Sequence, residues 1–156
     1  MEIRHELLRK TIDFSNGRSP IVLDMAEDLQ IEENALAREY AEQALKFGYL
    51  AVVAEMARAK CDELDTELDL TKSQTYHRLK GGDYQTLHGY KATEDGLKAA
   101  VKADEHVVAL QSALNRARHD SGILYAFKNA FEQRKEMLIS LGATQRQEHE
   151  SERLGK

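Results

Sequence analysis

One proline, one cysteine and no tryptophan occur in 156 residues. The chain therefore holds few helix breakers and has no means of forming an internal disulfide. Cys61 lies in a helical pattern beside Ala57 and Leu64, which marks it as a small buried or half-buried side chain rather than a nucleophile. A lone cysteine suits a reducing cytoplasm, and a cytoplasmic location is expected. Mean hydropathy is −0.59, and no apolar run nears the roughly 20 residues that span a bilayer. The start, Met1-Glu2-Ile3-Arg4-His5-Glu6, lacks the apolar core of a secretion signal, so no membrane partner is expected.

Signatures of catalysis are as scarce. No nucleophile elbow is present, and Gly81-Gly82 is not followed by the Lys-Ser/Thr pair of a phosphate-binding loop, so it reads as a hinge. His77, His88, His106, His119 and His149 show no ligand spacing. Glu2-Ile3-Arg4-His5 has the Glu-x-x-His spacing of di-iron bundles but occurs once, without the further glutamates such a site requires. No cofactor and no metal are expected, and the chain does not read as an enzyme.

What is abundant is Ala, Leu, Glu, Lys, Gln and Arg, all strong helix formers, so the fold class is all-α with long helices. Residues 1–31 read as short helices around a turn. One runs through Ile3, Leu7 and Leu8, Asn16-Gly17-Arg18-Ser19-Pro20 is the turn, and a second runs through Ile21, Val22, Met25 and Leu29. Residues 32–142 read as a long antiparallel, coiled-coil-like helical hairpin. Its first helix starts near Glu32 to Asn34. Its stripe runs Leu36, Tyr40, Ala44 or Leu45, Tyr49, Val52, Met56, Ala59, Leu64 and Leu68, ending near Leu79 before the double glycine. Gly48 interrupts this stripe and suits close approach of another helix. Thr93 before Glu94-Asp95 is an N-cap signal, and Asp104-Glu105 is a second start or a kink.

The second stripe runs Val107, Leu110, Leu114, Ala117, Ser121, Leu124, Phe127, Phe131, Arg134, Leu138 and Leu141, with steps of three and four throughout. Gly142 is the expected end of that helix, with residues 143–156 a fraying polar tail. A lone hairpin leaves apolar sides uncovered, so homo-oligomerisation through the C-terminal helix at Leu124, Phe127, Phe131 and Leu138 is expected.

Charge divides the hairpin. The whole chain carries a net −5, and Asp24 to Asp69 a net −9, yet Lys72 to Lys102 carries a net +3. This basic stretch, the tip of the hairpin, holds Lys72, Arg78, Lys80, Lys91, Lys98 and Lys102 together with Tyr76, Tyr84 and Tyr90. Cations that neutralise phosphates, beside aromatic rings that stack on bases, are the ingredients of a single-stranded nucleic-acid site. Lys72, Tyr76 and Lys80 share one helical face, and Lys98 and Lys102 fall one turn apart. The same composition also suits a solvated linker between helices. Elsewhere Glu39-x-x-Glu42 and Asp62-x-x-Asp65 place paired carboxylates on helical faces, the kind of pairs with which all-α nucleotide pyrophosphohydrolases hold Mg²⁺. An acidic run on a helix is more often a solvated face.

The chain also resembles UvsY-type recombination mediator proteins of bacteriophages. The residues that carry the likeness are Tyr40, Glu55-Met56, Glu67-Leu68-Asp69-Leu70-x-Lys72 and Tyr76, then Lys91-Ala92-Thr93-Glu94 and Leu97-Lys98-Ala99-Ala100-Val101-Lys102-Ala103-Asp104-x-x-Val107. Ala130-Phe131-x-x-Arg134-x-x-Met137-Leu138 completes it. The likeness covers most of the C-terminal two-thirds and leaves the N-terminal third out. It departs just upstream of Lys72, where Asp62-Glu63-Leu64-Asp65 replaces a more basic stretch.

The resemblance implies a non-enzymatic factor in DNA recombination and repair, at work in the cytoplasm of a bacterial host if the chain is phage-encoded. Such a factor binds single-stranded DNA, forms ring-like homo-oligomers through its C-terminal helices, and helps load a recombinase onto DNA coated with single-strand-binding protein. By position, Lys72 ahead of Tyr76, with Arg78 and Lys80 nearby, matches the family's DNA contacts. A helical structural or adaptor protein of virion type is the alternative, and the Mg²⁺-dependent hydrolase is the third reading.

Overall fold

The computed structural model describes residues 9–12 and 20–155. Two strands, β1 (Arg9–Ile12) and β2 (Ile21–Asp24), precede five α-helices: α1 (Met25–Asp28), α2 (Leu36–Arg78), α3 (Tyr84–His88), α4 (Glu94–Ala103) and α5 (Glu105–Leu154). A 3₁₀ turn (Glu33–Ala35) leads into α2, and a π turn (Leu79–Asp83) joins α2 to α3. Apart from the two-stranded sheet, every regular element among the described residues is helical, and the class is all-α.

The short helices expected at the start are replaced where the structure describes them. β1 and β2 pair antiparallel, with Thr11 beside Val22 and Ile12 beside Ile21. Ile12 and Leu23 are buried while Thr11 and Val22 are exposed. That is the period-two alternation of a half-buried sheet, and Thr, Ile and Val suit it. Only Met25–Asp28 is helical, started by Asp24, whose carboxylate accepts from the backbone N–H groups of Ala26 and Glu27. Residues 1–8 and 13–19, with the helix through Ile3, Leu7 and Leu8, the Glu2 to His5 spacing and most of the turn, lie outside the described residues.

The chain divides into two compact units: residues 1–56 with 122–156, and Ala57–Ser121. In the first, contacts of α5 with α2 and with the 3₁₀ turn before it run in opposite senses. Tyr125 donates to Glu55, Gln43 to the Phe131 carbonyl, and Gln145 to the Glu33 carbonyl. The helices are therefore antiparallel there. Leu124, Phe127, Phe131 and Leu138 are buried together with Ile12, Leu23, Leu50 and Val53. These four positions, expected to face another subunit, instead form this unit's own core.

The N-terminal half of α2 is turned relative to the sequence expectation. Leu45, Tyr49 and Val52 are exposed, whereas Glu39, Gln43, Leu50, Val53 and Ala54 are buried. The cause is a polar network around Arg134. Its guanidinium donates to Gln43 Oε1 at 2.7 Å, to the Gln30 carbonyl at 2.8 Å and to Glu39 Oε2. Glu39 Oε1 in turn accepts from the Glu32 backbone N–H. Burying a charge is costly unless it is paired and hydrogen-bonded, and Arg134 meets that condition through two residues of α2 and a loop carbonyl. Among the described residues, its Nε is the buried side-chain polar atom without a partner.

The Arg134 guanidinium holds the Glu39 carboxyl below its usual value of 4.5, against the opposing effect of burial. A carboxylate with a depressed folded-state pKa stabilises above its unfolded value, and that contribution is lost as pH falls through the folded value. The urea midpoint of the native chain is therefore expected to fall more steeply below pH 4.5 than that of Glu39→Gln. Parallel slopes would show that the pair contributes nothing to the acid limb.

Gly142 does not end α5, which continues through the expected polar tail to Leu154. A Cβ at Gly142 would stand 2.9 Å from the Tyr40 hydroxyl, and that hydroxyl donates to the Leu138 carbonyl at 2.6 Å. The glycine thus serves a close approach of α2 to α5 rather than a helix stop. Gly48 has nothing within 4 Å of an added Cβ, so among the described residues no other element uses the approach it offers.

In the second unit, Leu64, Leu68, Leu79, Tyr84, Leu97, Val101, Val107 and Leu114 form the core. Arg118 meets Asp65 and Arg78 meets Asp104, so α2 and α5 are antiparallel here too. Cys61 is half-buried against this core, as its pattern predicts, and burial pushes its thiol up. Gly81-Gly82 kinks the helix instead of stopping it: Gly82 adopts φ 133°, and α3 follows directly. A left-handed φ at that point is one that glycine adopts without steric penalty. Thr93 caps α4 by accepting from Gly96 N–H, as expected. Asp104 ends α4 and caps α5, accepting from the N–H groups of His106 and Val107.

Candidate nucleic-acid interface

All nine residues of the basic stretch lie in the second unit, and the structure sorts them into three groups. The first is engaged within the chain. Lys72 Nζ stands 3.5 Å from Asp69, one turn back on α2. Arg78 donates to Asp104 at 2.9 Å and stands 3.6 Å from Asp83. Asp104 thus receives both the helix-start N–H groups and the guanidinium, so Arg78 fastens the end of α2 to the start of α5. Its charge is largely spent there.

The second group is aromatic. Tyr76 donates to the Glu94 carboxylate at 3.1 Å, joining the Lys72–Tyr76–Lys80 face to the first turn of α4. Lys80 Nζ lies 5.4 Å from the Tyr76 ring centroid, a cation–π distance. Tyr84 is buried, its ring 4.4 Å from His88 and 5.9 Å, edge to face, from Tyr90. Its hydrogen bond with Tyr90, with burial behind it, pushes the Tyr84 phenol up. A Cβ on Gly96 would stand 3.0 Å from the Tyr84 hydroxyl, so α4 closes directly over it. Tyr84 is therefore a core residue and is unavailable to stack on a base. Tyr90, 60% exposed, is available.

The third group is Lys91, Lys98 and Lys102. All three are exposed, and among the described residues they make no ion pair or side-chain hydrogen bond. Leu97 and Val101 hold α4 in the core, and the four-residue step from Lys98 to Lys102 keeps both ammonium groups on one side of that helix.

Sequence reasoning found the basic residues but missed Asp104 and Glu94 as their partners. The signal was there: each stands at a helix start, Glu94 within the stretch and Asp104 two residues beyond it. It also missed the partners of Arg134, although a charged residue inside an apolar stripe is the mark of one. The carboxylates of the hydrolase reading are not gathered. Glu39 pairs with Arg134, Glu42 with Arg38 and Lys46, and Asp65 with Arg118. Among the described residues, no group of three His, Cys, Asp or Glu is placed to hold a metal ion. No helix among them is long and apolar enough to cross a membrane.

The described residues thus define an all-α protein of two units, each built on antiparallel helices, one of which carries three exposed, unpaired lysines and an exposed tyrosine. Set against protein-family models, curated proteins and solved structures, the chain finds no match in any of the three. The likeness to UvsY-type mediators accordingly rests on the residues quoted for it alone.

Proposed function

We propose that this chain binds single-stranded DNA and serves as a recombination mediator, an accessory factor that helps load a recombinase onto strands coated with single-strand-binding protein. The observation that carries the reading is that Lys91, Lys98 and Lys102 are exposed and unpaired, with Tyr90, next to Lys91 in the chain, exposed as well. An ammonium with no carboxylate partner gives up no ion pair when it meets a phosphate. An exposed tyrosine contributes about 1–3 kcal/mol when a base stacks on it. Tyr76, near the end of α2, and Lys80, in the π turn after it, add a further cation and ring. Lys72 and Arg78 are secondary, because a phosphate must first displace Asp69 or Asp104 from them.

The test is a titration of labelled oligo-dT at several salt concentrations. Each phosphate contact on a single strand contributes about 0.7 to the slope of log K against log salt. Lys98→Ala/Lys102→Ala is therefore expected to lower the slope by about 1.4. Lys72→Ala is expected to change it little, and Tyr90→Ala to weaken binding without changing it. An absence of binding at low salt would sink the proposal. That outcome would favour a helical structural or adaptor protein, a reading supported by the engagement of Arg78 and Lys72 within the chain.

A further inference from the structure

The turned N-terminal half of α2 leaves an apolar face uncovered. At 3.6 residues per turn, its large residues Leu45, Tyr49, Val52 and Met56 and its small residues Ala37, Ala41, Ala44 and Gly48 fall within an arc of about 140°. Leu45 is 76% exposed, Val52 61% and Tyr49 53%. All four small residues are exposed as well. Leu45, Tyr49, Val52 and Met56 belong to the stripe that the sequence places on one face of this helix, and the buried residues of the unit, Glu39, Gln43, Leu50, Val53 and Ala54, lie on the opposite side of α2. Apolar side chains this exposed along one helix mark an interaction surface.

We propose that this face binds the same face of a second copy of the chain, with the two α2 helices antiparallel. The arrangement of large and small residues argues for that occupant. Place a second α2 antiparallel with the two-fold axis between Lys46 and Phe47, and every layer of the seam pairs one large residue with one small one. Leu45 shares a layer with Gly48 of the second copy, and Ala41 with Val52. At the margins Ala44 lies level with Tyr49, and Ala37 with Met56. Antiparallel helix pairs interlock in such layers, and small residues let the helix backbones approach. A two-fold interface requires that one patch complement itself, and this one does. The eight seam positions carry no charge, in a chain that is 31% charged, so two copies meet without opposing like charges. The interface is distinct from the α5 residues of the sequence expectation, which are buried in the chain's own core. It stands independently of the DNA-binding reading.

Light scattering on the size-fractionated full chain, together with sedimentation equilibrium at micromolar concentration, tests the proposal. The expected result is twice the 17.7 kDa chain mass. Gly48→Leu is the decisive variant. Among the described residues nothing lies within 4 Å of a Cβ added there, and leucine is the better helix former, so the single chain tolerates it. In the dimer it sets leucine against Leu45, and the mass is expected to halve with helical circular dichroism unchanged. Leu45→Ala/Gly48→Leu restores one large and one small residue per layer, and the doubled mass is expected to return. Ala41→Glu, at an exposed position, is a second disrupting variant. A native chain that stays at single mass at tens of micromolar overturns the proposal and assigns the face to a different protein. A Gly48→Leu sample whose mass does not change, whatever the native mass, overturns it too.

Discussion

Arg134→Ala is expected to lower the free energy of unfolding by about 3–5 kcal/mol, the cost of removing one member of a buried ion pair. The substitution leaves Glu39 charged and enclosed, Gln43 Oε1 without its donor, and the Gln30 carbonyl unpaired on the Arg134 side. For a chain of this length, that loss corresponds to a fall in melting temperature of roughly 10 °C. The contrast is the triple variant Arg134→Leu/Glu39→Leu/Gln43→Leu. It removes all three polar side chains together and is expected to recover much of the loss, because no buried charge is left behind. Urea unfolding followed by circular dichroism measures both. A single-variant loss below about 1 kcal/mol would place the pair in the weak class of solvated surface bridges, contrary to the near-complete burial of Arg134 and Glu39.

Phe131→Ala is expected to cost about 3–5 kcal/mol, in the range for emptying a buried phenylalanine site. The side chain is 1% exposed and lies in a core shared with α2. The measurement has two parts, because the sequence alone assigns this residue to a subunit contact. As a core residue, Phe131→Ala lowers the urea midpoint and leaves the native mass in solution unchanged. As a subunit contact, it would lower the mass first, with little change in the stability of the dissociated chain. Leu138→Ala and Leu124→Ala are expected to follow Phe131→Ala in both respects.

The sequence was most legible along α5. Every position of its stripe from Val107 to Leu141 is buried or half-buried, Arg134 included. One continuous run of threes and fours offers a helix a single face to bury. Caps were legible for a similar reason: Thr93 and Asp104 act on N–H groups two or three residues away. The second half of α2, from Leu64 to Leu68, also packs as read. The first half does not. It holds two competing stripes, and the more apolar one, through Leu45, Tyr49 and Val52, reads as the core. The one buried holds Glu39 and Gln43, whose cost is offset by an arginine about 90 residues away. No local pattern carries that information. Gly142 misleads in the same way: its end-of-helix signal is local, while the Tyr40 hydroxyl that makes use of it comes from α2.

By itself, the sequence determined the all-α class, the two long helices, the caps of α4 and α5, and the inner face of α5. All of these follow from propensities and periodicities that act within a few turns of chain. Tertiary structure alone decided which face of α2 is buried, which basic residues are left unpaired, and that Tyr84 belongs to the core. Each of those depends on a partner distant in sequence: Arg134 for Glu39 and Gln43, Asp104 for Arg78, and the closure of α4 over Tyr84. A charge or a ring announces its chemistry in the sequence, but the geometry of its partners decides whether that chemistry faces inward or toward a ligand.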